Sequence, residues 1–123
     1  MLLDEKYAAL LASAGFIALG RGRADKAGAI FDAMVAEWPH RLAPWLGKSL
    51  ALILAGEPEK GAQLLEKEGA SHRADPVWGA FHALALAEAG KTGDAREELT
   101  ALLSSGPEHP EKAMARALFS QIG

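Results

Sequence analysis

The run Gly90-Lys91-Thr92 comes nearest in this chain to recognisable chemistry, because phosphate-binding loops end in such a run. That loop needs a glycine five residues before Gly90 and a strand ahead of it. Ala85 stands there instead, and the residues before it read as helix. Gly20-Arg21-Gly22-Arg23 is a basic turn without the rest of any glycine-rich fingerprint, and it reads as a solvated interhelical turn. His40, His72, His82 and His109 have no spacing suited to a metal. Three of them fall near helix junctions and read as surface residues. His82 interrupts an apolar helix, which leaves two readings, a ligand contact and, favoured over it, a satisfied buried histidine. The carboxylate pairs Glu97-Glu98 and Glu66 with Glu68 read as solvated outer faces, with nothing to raise the pKa of a general acid. Trp38, Trp45 and Trp78 fit junctions or core and require no cofactor. With no cysteine in the chain there is neither a disulfide framework nor thiolate chemistry. No catalytic residue, metal ligand or cofactor site is assigned, and the chain reads as a non-enzyme.

Composition narrows the classes further. At 123 residues the chain fits one domain, 1–123, and its 50% hydrophobic and 24% charged residues argue against disorder. Alanine and leucine outweigh β-branched residues, which favours helix. Thirteen basic against sixteen acidic residues leave a net charge of -3, without the basic face that nucleic acid or an anionic membrane would need. The start, Met1-Leu2-Leu3-Asp4-Glu5-Lys6, lacks the order of a signal peptide. The longest apolar stretch, Leu42 to Gly56, is interrupted by Lys48 and is too short to span a bilayer. A soluble cytoplasmic protein is the expectation.

The elements that would position any site are set by a repeat. Gly22 with Ala27, Gly56 with Gly61 and Gly90 with Ala95 form pairs that recur every 34 residues, and Phe31, Leu65 and Leu99 follow at the same interval. Leu50-Ala51-Leu52 aligns with Leu84-Ala85-Leu86, and Ala55-Gly56 with Ala89-Gly90. The glycines suit turns of positive φ, the small residues suit close helix crossings, and the large ones suit contacts between neighbouring units. First helices are expected near Asp4–Leu19, Pro44–Ala55 and Pro76–Ala89. Second helices are expected near Asp25–Trp38, Glu59–Glu68 and Gly93–Ser105, with a last helix over Pro110–Gln121. Pro44, Pro76 and Pro110 suit helix starts.

This pattern resembles the tetratricopeptide family, a 34-residue helix-turn-helix repeat. In the first unit Leu11 takes the aromatic position, Ala14-Gly15 the Leu-Gly pair, Ala18 the tyrosine position, and Ala27, Phe31 and Pro39 the rest. The second keeps Trp45, Leu52, Gly56 and Leu65, but has Gly61 where alanine is usual and Arg73 where proline is usual. The third keeps Leu86, Gly90, Ala95 and Leu99, with Pro107 just beyond its expected place. The resemblance implies an all-α fold, an α-solenoid of three repeats near 8–41, 42–75 and 76–109, plus a capping helix at 110–121.

In that architecture the first helices line a concave groove. The register then assigns to it Ala9, Ala12, Phe16 and Leu19; Leu46, Leu50, Ile53 and Leu54; Val77, Ala80, Phe81 and Leu84. The last helix adds Met114 and Leu118. The strongest candidates for partner binding are Phe16, Leu19, Leu46, Leu50, Ile53, Leu54, Val77, Phe81 and Leu84. The first helices are apolar on their other side as well, so they call for burial all round. The cover would be a partner's amphipathic helix, a second copy of the chain or its own termini. The alternative is that three repeats curl tightly enough to bury these residues internally. Family members that grip acidic C-terminal peptides use lysine, asparagine and arginine where this chain has Ala12, Phe16, Gly47, Val77 and Phe81, so a hydrophobic segment fits better.

The stretch Leu19-Gly20-Arg21-Gly22-Arg23-Ala24-Asp25-Lys26-Ala27, with Phe31-Asp32-Ala33, Trp38-Pro39-His40 and Leu42-Ala43-Pro44-Trp45, resembles the small tetratricopeptide chaperones of bacterial type III secretion. That resemblance implies a cupped cytoplasmic protein holding the amphipathic helix of a needle or export-apparatus subunit. The competing expectation is a self-associating scaffold, such as a homodimer.

Overall fold

Three turns of identical construction divide the chain. Gly22, Gly56 and Gly90 adopt φ of 74°, 83° and 83°, a left-handed conformation that a side chain would strain. Just past each glycine an amide reaches back across the turn: Arg23 donates to the Ala18 carbonyl (2.8 Å), Glu57 to Leu52 (2.8 Å) and Lys91 to Leu86 (2.9 Å). Each is the six-to-one bond of a Schellman cap, which satisfies a carbonyl that the helix end leaves open.

The computed structural model describes residues 2–104 and 106–122, with side chains from residue 5 onward except 111, 114, 119, 121 and 122. Its helices are α1 (Leu2–Gly20), α2 (Ala24–Glu37), α3 (Leu42–Leu54), α4 (Pro58–Glu68), α5 (Pro76–Glu88), α6 (Thr92–Ser104) and α7 (Pro110–Ile122). These agree with the expected spans to within about two residues at each end; the expected terminus Ser105 lies outside the described residues. A 3-10 turn, Ala70–His72, was not expected. It follows the α4 end at Gly69 and leads to Asp75, whose side chain accepts the Val77 amide at 2.9 Å and caps α5.

The odd-numbered helices pack on one another in sequence, and each even-numbered helix packs on the odd ones flanking it. The even-numbered helices make far less contact among themselves, so they form the outer layer of a curved stack and α1, α3, α5 and α7 form the inner one. Helix α7 closes the C-terminal end. Ala115 and Leu118 bury against Ala80, Ala83, Leu99 and Leu102. Buried Lys112 ends in a bond from Nζ to the Gly106 carbonyl (2.9 Å), and Arg116 grips Glu108 through both oxygens.

Phe31, Leu65 and Leu99 are fully buried and fill the inter-unit contacts as their spacing predicts. Phe31 sits between α1 and α3, and a Cβ added at either Gly15 or Gly47 would lie under 3.0 Å from its ring carbons. The two helices therefore approach the ring with bare backbone. At the next crossing the Ser49 hydroxyl donates to the Gly61 carbonyl (3.0 Å), and a Cβ at Gly61 would meet Ser49 at 3.0 Å. The nearest Ser49 atom is its backbone oxygen, with the hydroxyl at 3.2 Å, so glycine at 61, where the other units have alanine, leaves room for both the close crossing and the Ser49 bond.

Phe31→Ala should destabilise the chain by about 3–5 kcal/mol, the usual cost of emptying an aromatic core site. Gly47→Ala should cost about 1–3 kcal/mol despite alanine's better helix propensity, because the ring cannot retreat. Urea unfolding followed by circular dichroism checks both. A Gly47→Ala chain as stable as the parent would show that the wedge has room.

Candidate functional site

The inner helices bring the expected groove residues together, but not all on one open surface. Leu19 is buried with Ala27, Phe31 and Met34 inside the first unit. Leu46 is buried with Trp45, Leu65 and Trp78. Both are buried in core clusters, as are Ala80 and Leu118. The physical reason is the tightness of the curl. Phe16 of α1 and Phe81 of α5 both pack against the cluster that holds Leu46, and their rings stand edge to face with centroids 6.4 Å apart. Two aromatic side chains from helices on either side of α3 thus meet over the middle of the inner layer.

Six others are half-buried: Phe16, Leu50, Ile53, Val77, Phe81 and Leu84. Leu50 leans on the Phe31 cluster, Ile53 on Ala62 and Leu86, and Leu84 on Ala80 and Leu99. Leu54 stands out at 60% exposed, at the C-terminal end of α3. Ala9 and Ala12 line a hollow of about 310 Å³ between α1 and α3, with Ala8, Met34, Leu42 and Ala43 as its other apolar walls and Glu5 and Arg41 at its lip. The side chain of Met114 lies outside the described residues.

The inner-face register missed a second apolar surface. Tyr7, Leu10 and Ile17 on α1 are 56%, 70% and 54% exposed. Their positions recur 34 residues on: Leu10 corresponds to Pro44 and Trp78, and Ile17 to Ala51 and Ala85. Those counterparts are covered, because in the later units this side of the helix faces the preceding unit. On α1 the same side faces outward. The sequence carried the signal, since Tyr7, Leu10, Ala14 and Ile17 alternate at spacings of three and four, the pattern of a helix-pairing seam.

Glu66 is exposed on the outer layer as expected, while Glu98 is half-buried. They converge on His82, one at each ring nitrogen. Nothing in the repeat pattern marks them, because they occupy different positions within their units. His82 itself is buried and satisfied, as its apolar helix suggested. Among the described residues there is no group of three or more potential ligands that could hold a metal, and no helix long and apolar enough to cross a membrane.

Helix pairs stacked at a fixed period, with their apolar surface on one layer and at one end, define a helical-repeat scaffold. A model of the tetratricopeptide repeat matches residues 18–85, more than half of the chain, and the chain belongs to that family. Its members are in general protein-interaction scaffolds rather than enzymes. No curated protein matches the chain.

Core and surface leucines separate cleanly by substitution. Leu54→Glu should change stability by no more than about 0.5 kcal/mol, as expected for an exposed position. Leu46→Ala should cost about 2–5 kcal/mol. Comparable losses from both variants in thermal unfolding would place Leu54 in the core and remove it from the candidate face.

Proposed function

We propose that this chain is a protein-binding adaptor of the chaperone kind, which holds an amphipathic helical segment of a partner against its inner face. The observation that carries the reading is Leu54, largely exposed beside half-buried Leu50 and Ile53, on an inner layer that also presents Phe16, Phe81 and Leu84. An amphipathic helix supplies the i, i+3, i+4 and i+7 anchors such a face accepts. The face offers no lysine or arginine at the positions where relatives clamp an acidic peptide terminus, so an apolar segment suits it better. The likeness of Leu19–Ala27 and Trp38–His40 to type III secretion chaperones names the client class, a small needle or export-apparatus subunit of a bacterial secretion system held in the cytoplasm.

A second reading is favoured by the α1 stripe. Leu10 and Ile17 give one end of the stack an uncovered seam, which would suit a self-associating scaffold. The two readings use different faces and are separable.

Capture of the tagged chain from its native host, followed by mass spectrometry, should recover one small helix-rich protein in stoichiometric amount. Leu54→Asp and Phe81→Ala should each weaken that complex roughly tenfold, about 1.4 kcal/mol, without loss of helicity. Retention of the client by both variants would sink the inner-face reading. Sedimentation of the purified chain tests the second reading. A mass that rises with concentration, and returns to the monomer value in Leu10→Glu, would move the assignment to self-association through α1.

A further inference from the structure

The side chain of His82 is held from three directions. On α5 its residue is 9% exposed, with Nδ1 2.5 Å from Glu98 Oε2 of α6 and Nε2 2.7 Å from Glu66 Oε2 of α4. Its ring lies face to face with Trp78, centroids 4.5 Å apart. Trp78 is itself fixed, since its Nε1 donates to the Leu65 carbonyl at 3.2 Å and Gly69 leaves room for the indole. The stacked indole and the two carboxylates together define the plane and position of the imidazole.

Proton counting makes this arrangement unusual. A neutral imidazole has one N–H and one lone pair, so it can donate to only one of two carboxylates. The other ring nitrogen would present its lone pair to an anionic oxygen at hydrogen-bond distance. Both contacts are attractive only when the three groups hold one proton beyond a neutral histidine and two carboxylates. That proton makes the imidazole a double donor, and the two bonds charge-assisted.

The elements joined are significant. Helix α4 ends the second repeat, while α5 and α6 form the third. We propose that His82, Glu66 and Glu98 form a proton-held brace across the boundary between these repeats, and that release of the proton lets the third repeat loosen from the second. Several other charged groups on the elements around α5 have partners of their own. Arg73 lies over the Trp78 ring, and with Asp75 it rims the hollow beside Glu98. Lys48 of α3 pairs with Asp32, and Lys112 of α7 with the Gly106 carbonyl. Arg116 of α7 pairs with Glu108.

The direction of the pH response follows. Burial disfavours the charged ring, but the hydrogen bonds and charges of Glu98 and Glu66 outweigh it and raise the His82 pKa above the ordinary 6.5. A group whose pKa rises on folding stabilises fully below its unfolded pKa, about 6.5, and loses that contribution as pH climbs through the folded value. The brace is therefore firm in mild acid and released on the alkaline side. It does not depend on what the inner face binds, because its readouts are the titration of one ring and the opening of one seam.

The experiment is a ring-nitrogen NMR titration of the 15N-labelled full chain, with His82 assigned through His82→Gln. His82 should show both nitrogens protonated at neutral pH and titrate with a midpoint above 6.5. Glu98→Gln should lower that midpoint, and it keeps the reading testable if His82→Gln fails to fold. Hydrogen exchange of the α4 and α5 amides, corrected for intrinsic pH dependence, should accelerate from pH 6.5 to 9 in the parent and less so in Glu98→Gln. A midpoint at or below 6.5, or one unmoved by Glu98→Gln, overturns the shared proton. A raised midpoint with pH-independent exchange overturns the brace.

Discussion

The stack depends first on a single phenyl ring having no side chain to push against on two facing helices. Phe31 reaches from α2 into the space between Gly15 of α1 and Gly47 of α3, and each glycine would clash with it if it carried a Cβ. The contact sets how near α1 lies to α3, and hence how tightly the first two repeats curl. That curl brings Phe16 close to Phe81 over α3, where both pack against the cluster that holds buried Leu46. A local steric condition in the first repeat thus shapes the inner surface of the whole domain. Close packing propagates it, because interiors at crystal-like density have no slack to absorb a misplaced ring.

The period was legible because it is written in residues whose physical reasons are local. Gly22, Gly56 and Gly90 are required by positive φ, Ala27 and Ala95 by close approach, and Phe31, Leu65 and Leu99 by volume. The 3-10 turn at Ala70–His72 was not legible, since it fills the place where the second repeat departs from the family pattern and Pro76 is delayed. Substitutions that look like drift prove to be compensated. Gly61 answers Ser49, and Gly69 leaves room for Trp78. Such pairs are hidden in a single sequence, because each member is explained only by the other and the two are 12 and 9 residues apart.

The candidate face was legible only in part, for a reason specific to repeats. Register predicts which side of a helix turns inward, but not how far a neighbour overhangs it. Leu50, Ile53 and Leu54 are close in sequence on one helix, yet the first two are half-covered and the third is largely open. The α1 stripe shows the converse. The position buried as Pro44 and Trp78 in the second and third repeats is surface as Leu10 in the first, because no described helix packs on that side of α1. Helix α7 covers the C-terminal end with Ala115 and Leu118, while at the α1 end Leu10 and Ile17 have no equivalent cover among the described residues.

The His82 cluster belongs to a different order of constraint. A leucine would fit the apolar run of α5, and replacing buried ionic groups with well-packed apolar ones is often neutral or stabilising. Stability alone therefore gives little reason to place a histidine between two glutamates there. What the cluster supplies is direction: hydrophobic contacts between α4, α5 and α6 tolerate small slides, whereas two short charge-assisted bonds to one stacked ring tolerate almost none. The second and third repeats meet through Trp45, Leu46, Leu65 and Trp78, an interface of broad apolar surfaces, and the ring fixes one registration of those surfaces. Phe81 adjoins His82 in the chain, so the element that fixes the registration also sets where the inner-face aromatic pair can meet.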